Sequence, residues 1–201
     1  PEGTECAVAT SKVINLSDVF GDSDQTNKFV TRYLQSTHCD LFFADAAILV
    51  EGVAESMLLP HFIRSKFPEL YQRYITILGV NGRHAHRLSP LIEKLCLPTL
   101  VITDLDPAEK EGYHKSVVPK RGEGQISGNY AIAKWLMKEK DIDKLVDYSE
   151  DKKEFSFASP YRFSIRLAYQ TPVRVDFEGE EKEAIPGTFE DCLIYTNYDL
   201  F

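Results

Sequence analysis

Three short hydrophobic runs lie in the middle of the chain, separated by segments that mix polar and apolar positions. Continuous apolar runs of this length are typical of strands that are buried on both faces of a sheet. The second intervening segment has a helix start, with Ser89 as N-cap and Pro90 at the first helical position. The pattern predicts alternating strands and helices at residues 46–50, 54–66, 74–80, 89–96 and 98–103. This order is typical of an α/β fold with a parallel central sheet flanked by helices.

The segments around this core give further elements. An amphipathic helix is predicted at residues 24–35, and a long polar loop at 107–127 leads into a helix that ends near Lys138. At the end of the chain we expect a strand at 162–169, a strand pairing with it at 173–177, an acidic turn at 178–183 and a helix at 188–195. These elements divide the chain into four parts. They are a lead-in (residues 1–39), a sheet core (40–138), a smaller helical/β insertion rich in charge (139–160), and a C-terminal hairpin and helix that complete the core (161–201).

Composition and charge narrow the class of protein. The chain has 201 residues, of which 43% are hydrophobic, so it is able to bury a core. It contains no apolar stretch of about 18 residues, as a membrane helix requires, and it begins with neither a signal peptide nor Met. We therefore expect a cytoplasmic protein and a piece of a longer chain. Four widely spaced cysteines argue against a zinc ribbon or a disulfide scaffold.

Acidic side chains follow two of the three predicted strands. Glu51 comes directly after the first strand, with Glu55 four residues on, and Asp104 and Asp106 follow the third. Each pair alone also suits a solvated turn or a helix start, where acids are favoured without any function. Ligands bind beyond the carboxyl ends of strands in parallel sheets, and two acid pairs at one edge repel each other unless a cation neutralises them. Together they predict a site for Mg²⁺ or Mn²⁺.

These motifs resemble those of a known family. The segments at 48–52 with Glu55 and at 102–106 look like the Toprim fold of topoisomerases, primases and related nucleases. Their order with Leu58-Leu59-Pro60, residues 77–82, Ser127-Gly128-Asn129 and residues 188–191 resembles the OLD (overcoming lysogenization defect) nucleases. Those proteins join an N-terminal ABC-type ATPase to a C-terminal Toprim nuclease. The resemblance therefore implies a DNA endonuclease whose ATPase domain, the site of any ATP binding, is absent from this chain, and it allows a homodimer of the full-length protein.

The resemblance also implies roles for individual residues. Glu51, Glu55, Asp104 and Asp106 match the acids of the Toprim motifs. Ser127 matches a hydroxyl residue near a second metal, Glu190 matches a further acid, and Asp191 is a weaker candidate. The implied cofactors are two Mg²⁺ or Mn²⁺ ions, with Ca²⁺ able to bind without supporting catalysis. Family members use a late basic residue, often Lys, and no Lys follows Lys182 in this sequence.

The DNA contacts are less well indicated. The net charge is −8, which counts against nucleic-acid binding unless bound metals cancel part of the acidic charge. Lys115, Lys120 and Arg121 lie in the polar loop and are candidates for phosphate contacts. Glu109, Glu111 and Glu123 are interleaved with them, so a solvated loop explains this group equally well.

Two other functions stay open. A strand that ends in Asp-x-Asp also suits a phosphatase of the haloacid dehalogenase type, with Asp104 as the nucleophile. That family has Thr or Val two residues after the second Asp, where this chain has Ala108. A non-catalytic Toprim module that binds DNA or protein is the other alternative, although such modules can lose acids that this chain retains.

Overall fold

The structure is a computed structural model, and it describes Val13, Asn15 and residues 39–80, 84–111, 115–158 and 161–200. The helix predicted at residues 24–35 lies outside these residues. Among the residues described, no helix has the length and apolar character needed to cross a membrane.

A five-stranded sheet forms the centre of the described chain. Its strands are Ala46–Val50 (β1), Ile75–Gly79 (β2), Thr99–Ile102 (β3), Glu154–Phe157 (β6) and Phe163–Ala168 (β7). They lie in the order β2-β1-β3-β7-β6; β1, β2, β3 and β7 run parallel, and β6 is an antiparallel strand at one edge. Four consecutive residues of β1 are buried, as expected of a strand covered on both faces. The predicted α/β class and the parallel core are confirmed.

Five α-helices accompany the strands in the described part of the chain. The α-helices are Val53–Lys66 (α1), Pro68–Tyr71 (α2), Ser89–Leu95 (α3), Ile142–Asp147 (α4) and Phe189–Thr196 (α5). The predicted bounds of α1, α3 and α5 agree with these to within about two residues. In α3, however, Leu88 is the N-cap and Ser89 already lies in the helix, because a 3-10 turn, Ala85–Leu88, runs directly into it. The helix predicted to end near Lys138 is a π-helical turn, Ala131–Trp135.

The predicted pairing of residues 162–169 with 173–177 is wrong. The strand β7 pairs with β3 and β6, whereas Val173–Phe177 (β8) forms a separate hairpin with Glu180–Ala184 (β9). The reason is burial: β7 alternates buried apolar residues with others, while most residues of β8 and β9 are exposed. The acidic turn is therefore limited to Glu178 and Gly179. Both have positive φ, which suits the two-residue turn of a hairpin.

The charged segment 139–160 is only partly helical. It contains α4, a 3-10 turn at Glu150–Lys153 and the edge strand β6. Ile142 and Leu145 of α4 are fully buried in the main hydrophobic core, so the helix packs against the sheet. The polar loop at 107–127 is closed by a short antiparallel pair, Pro107–Ala108 (β4) with Ile126–Ser127 (β5). This pair brings the chain after Ser127 back towards the end of β3.

Candidate metal centre

The carboxyl ends of three neighbouring parallel strands build the site. Glu51 follows β1, Thr103 and Asp104 follow β3, and Gln170 lies two residues after β7. Because β1, β3 and β7 are parallel and in register, these ends meet at one edge of the sheet. Asp106 reaches the same edge by a turn and not by strand alternation, since β3 ends at Ile102 and Asp106 has a φ of 47°. Asp104 and Asp106 therefore do not share one strand face, as alternation along an extended strand would have placed them.

A buried asparagine organises the β1 side of the site. The Asn129 side chain is fully buried, and its Nδ2 donates to Glu51 Oε1 at 2.8 Å, to Thr103 Oγ1 at 2.7 Å and to Asp106 Oδ2 at 3.3 Å. Its Oδ1 accepts the backbone N–H of Ala131 at 2.9 Å, which fixes the orientation of the amide. Thr103 Oγ1 also donates to Glu51 Oε1. Two neutral donors thus hold a single oxygen of the Glu51 carboxylate.

The loop geometry explains how Asn129 reaches this position. The backbone N–H of Gly128 donates to the carbonyl of Asp106 at 2.9 Å, directly beyond the β4–β5 pair. The Ser127 Oγ is buried and accepts the backbone N–H of Asn129 at 3.1 Å. In this structure the Ser127 hydroxyl group therefore shapes the turn that presents Asn129.

Asp104 is held by the C-terminal part of the chain. Its Oδ1 accepts a hydrogen bond from Gln170 Nε2 at 2.5 Å and another from the backbone N–H of Phe189 at 3.0 Å. Phe189 is the first residue of α5, so the carboxylate lies at a helix N-terminus, where negative charge is favoured. The contacts join Asp104 to two elements that are far from it in sequence.

Glu55 lies in the first turn of α1, and its side chain is 3% exposed. Its Oε2 is buried and has no hydrogen-bond partner among the described residues. The side chain folds back over Gly52, where an added Cβ would collide with Glu55 Oε2. Gly52 therefore gives Glu55 its space, and the unsatisfied buried oxygen is a donor atom of the kind that a cation would bind.

Burial is the main cause of a raised pKa in two of the acids, Glu51 and Asp104. Burial raises the pKa of Asp104 to about 7, the Gln170 hydrogen bond opposes this rise, and the charges of Glu51, Glu55 and Asp106 add to it. Burial also raises the pKa of Glu51, against the hydrogen bonds from Thr103 and Asn129 and with the charges of Asp106 and Glu55. A cation among these groups would reverse both effects, because it favours the ionised carboxylates.

The donor atoms fit a hard divalent cation. Carboxylate oxygens are the protein ligands that Mg²⁺ and Mn²⁺ prefer, and the unpartnered Glu55 Oε2 supports this assignment. Within the described ranges, however, no three His, Cys, Asp or Glu side chains converge closely enough to hold one ion. The fit therefore rests on the chemistry of the donors and on the unsatisfied oxygen.

The remaining predicted ligand, Glu190, is exposed in the first turn of α5. No hydrogen bond or ion pair joins its carboxylate to another described residue, so only its neighbour Phe189 connects it with Asp104. Asp191 has a structural role, because it forms a capping box with Thr188. The structure therefore brings Glu51, Glu55, Asp104 and Asp106 together and leaves the Glu190 carboxylate outside their contacts.

The basic candidates of the loop differ from one another. Arg121 donates from Nε to Glu183 at 2.6 Å and from an Nη to Asp147 at 2.8 Å, joining α4 to β9. Both carboxylates raise the pKa of the guanidinium and neutralise its charge. Lys115 and Lys120 are exposed, and no ion pair occupies either side chain in the part of the chain that the structure describes. Of the three, only these two lysines remain available for a phosphate.

Three residues of the site were not predicted as site residues: Thr103, Asn129 and Gln170. Thr103 and Gln170 are polar residues just beyond buried strands, so the signal that revealed Glu51 and Asp104 was present for them too. Asn129 belongs to the Ser127-Gly128-Asn129 segment, but nothing local in its sequence indicates that its amide reaches Glu51.

A parallel sheet with Glu51 after one strand and Asp104-Leu105-Asp106 after its neighbour is consistent with a Toprim-type domain. Residues 42–106 match the family described as the TOPRIM domain of proteins like the overcoming lysogenization defect protein, which confirms the predicted resemblance. The chain is also similar to "Endonuclease GajA" of Bacillus cereus (strain HuB5-5), with 28% identity over 175 residues. These residues cover 87% of this chain but only 23% of that relative. No solved structure matches the chain.

Proposed function

We propose that this chain is the catalytic part of a metal-dependent DNA endonuclease, which hydrolyses phosphodiester bonds. The observation that carries the proposal is the cluster of Glu51, Glu55, Asp104 and Asp106, buried enough to shift the proton affinity of two of its members. The name of the relative, an endonuclease, supports the same activity.

The cluster suggests how two Mg²⁺ or Mn²⁺ ions would be held. Glu51, Glu55 and Asp104 would bind one ion, and Asp104 or Asp106 would bind the other, with Ser127 and Glu190 as further candidate ligands. When bound, such ions activate a water molecule near neutral pH and offset the charge that develops on the phosphate and on the leaving oxygen. Ca²⁺ takes the same ligands, and we expect it to bind without supporting cleavage.

The protein's own contribution is to place these carboxylates in advance. Asn129 and Thr103 both donate to Glu51 Oε1, so the other oxygen of this carboxylate is left for a cation. The buried Asn129 also ties Glu51 to Asp106, and it thereby fixes the spacing of acids from two different loops. Such preorganisation of Glu51 and Asp106 reduces the rearrangement that the site needs when a cation and substrate bind.

The decisive assay is nicking of supercoiled plasmid with Mg²⁺ or Mn²⁺. Wild type should nick, and Asp104→Ala should be inactive, while Glu69→Ala, which removes an exposed acid in α2, should nick as the wild type does. Equal nicking by wild type and Asp104→Ala would refute the assignment. A wild type without measurable Mn²⁺ binding in calorimetry would instead favour the non-catalytic module, and a phospho-aspartate trapped at Asp104 would favour the phosphatase.

The length of the relative supports the proposal that further domains accompany this chain. Because this chain covers 23% of it, the rest of a comparable full-length protein has room for the proposed N-terminal ABC-type ATPase domain and for a dimer interface. Lys115 and Lys120 are the proposed contacts with DNA phosphates, and Arg121 is a weaker candidate because Asp147 and Glu183 already bind it. The proposed division of the chain remains residues 1–39, 40–138, 139–160 and 161–201.

A further inference from the structure

Gln170, just beyond β7, binds the segment that follows β3 through both the nitrogen and the oxygen of its side-chain amide. Its side chain is 6% exposed; Nε2 donates to Asp104 Oδ1 at 2.5 Å, and Oε1 accepts the backbone N–H of Leu105 at 2.8 Å. Because the amide oxygen is occupied by a backbone donor, the NH₂ group has to face Asp104. The orientation of this side chain is therefore determined by its contacts.

The two hydrogen bonds on Asp104 fall on the same oxygen. Gln170 Nε2 and the backbone N–H of Phe189 both bind Oδ1, and no described residue donates to Oδ2. Two donors on one oxygen restrict rotation of the carboxylate about its Cβ–Cγ bond, which leaves the second oxygen with a defined direction. Such hydrogen bonds to a carboxylate ligand tune how well it holds a metal.

We propose that Gln170 is a positioning residue that holds Asp104 so that its Oδ2 is presented to the cation. The proposal rests on the metal-dependent function proposed above. Gln170 and Phe189 lie on β7's carboxyl end and on α5, both outside residues 42–106 that match the family. The C-terminal part of the chain thereby completes a site whose carboxylates all come from the matched region.

A second buried glutamine provides a matched control. Gln125 is 9% exposed, and its amide also bridges two groups: Nε2 donates to the carbonyl of Val118, and Oε1 accepts the backbone N–H of Lys120. Among the described residues, its amide group makes no hydrogen bond to a carboxylate. Replacement of either glutamine by Leu removes a two-ended buried amide, but only Gln170→Leu releases Asp104.

The test compares Gln170→Leu, Gln125→Leu and the wild-type chain by Mn²⁺ calorimetry and by plasmid nicking. We expect Gln170→Leu to weaken Mn²⁺ affinity and lower kcat by about 10- to 100-fold, with little change in the KM for DNA. Gln125→Leu should lower the melting temperature without changing Mn²⁺ affinity or kcat. Gln170→Glu is the second variant: it keeps an acceptor for Leu105, so it should fold, but it replaces the donor that faces Asp104 by oxygen and should also lower kcat.

The outcomes separate this proposal from the proposed function. If Gln170→Leu has the Mn²⁺ affinity and kcat of the wild type, the positioning role is overturned while the nuclease assignment stands. If Gln170→Leu does not fold, a wild-type kcat in Gln170→Glu overturns the positioning role in the same way. A wild type that binds Mn²⁺ without nicking DNA would overturn the nuclease assignment, and a weaker Mn²⁺ affinity in Gln170→Leu would still support the positioning role. Equal losses in Gln125→Leu and Gln170→Leu would reduce Gln170 to a structural residue.

Discussion

The most direct test of the site's electrostatics is Asn129→Asp. This change keeps the size of the side chain and the oxygen that accepts from Ala131, but it replaces the NH₂ group by a carboxylate oxygen. In the wild type, Nδ2 lies 2.8 Å from Glu51 Oε1 and 3.3 Å from Asp106 Oδ2. The variant therefore converts two hydrogen bonds into two contacts between like charges, in a fully buried position.

The magnitude follows from these distances. Two unit charges about 4 Å apart interact by about 4 kcal/mol at an effective dielectric constant of about 20, and protonation of one carboxyl relieves part of this repulsion. We therefore expect Asn129→Asp to lower the free energy of unfolding by about 2–4 kcal/mol in EDTA. A saturating concentration of Mg²⁺ should recover much of this loss, because the added carboxylate then faces a cation.

Urea unfolding monitored by circular dichroism, with EDTA or with Mg²⁺, measures both quantities. Asn197→Asp is the control: it makes the same change of charge at an exposed helix end, where it should cost about 1 kcal/mol or less, with or without Mg²⁺. If Asn129→Asp is as stable as wild type in EDTA, or if Mg²⁺ stabilises it no more than wild type, the reasoning that places Asn129 between the carboxyl groups of Glu51 and Asp106 is refuted.

Three further experiments test other parts of the site. Gly52→Ala should weaken Mn²⁺ affinity in calorimetry, because the added Cβ displaces Glu55, while its backbone with φ −115° accepts Ala; an unchanged affinity would contradict this role of Gly52. Arg121→Ala should lower the melting temperature and leave DNA affinity in fluorescence anisotropy unchanged, because Arg121 binds two carboxylates. Lys120→Ala should lower DNA affinity and leave the melting temperature unchanged. A loss of DNA affinity in Arg121→Ala but not in Lys120→Ala would assign the phosphate contact to Arg121. In EDTA, the pKa of Asp104 is about 7 in the folded state, against 3.8 ordinarily, so the folded chain binds this proton more tightly than the unfolded chain does. The contribution of this proton to the free energy of unfolding is therefore fully present below pH 3.8 and is lost as pH rises towards 7. Wild type should therefore lose stability relative to Asp104→Asn between about pH 4 and 8 in urea unfolding, and a pH-independent difference would refute the pKa shift.

The local sequence predicts those parts of the fold that depend on neighbours along the chain. The apolar run of β1 predicts a strand because four consecutive buried residues need cover on both faces. The helix start before Phe189 is likewise local, since Thr188 and Asp191 form a capping box within one turn. Glu51 and Asp104 follow from such elements, because the end of a parallel strand already indicates a binding edge.

Strand pairing could not be predicted in the same way. Residues 163–168 alternate as any half-buried strand does, and this pattern does not distinguish β3 from β8 as a partner. The contact with β3 joins residues more than sixty positions apart, as Thr99 opposite Ile165 shows. The free energy that decides such a pairing comes from burial of the whole sheet, to which each residue contributes only a part.

The acids of this protein were determined by its sequence: their identity and their positions after strands required no structure. Only the tertiary structure decided which groups hold them, since Asn129 reaches Glu51 across 78 residues and Gln170 reaches Asp104 across 66. The physical reason is that a buried carboxylate needs hydrogen-bond donors from whatever elements pack beside it, and a donor amide has no signature in its own sequence neighbourhood. Tertiary packing also decided the position of the predicted ligand Glu190. Its side chain is exposed, although α5 itself contacts Asp104 through the backbone of Phe189.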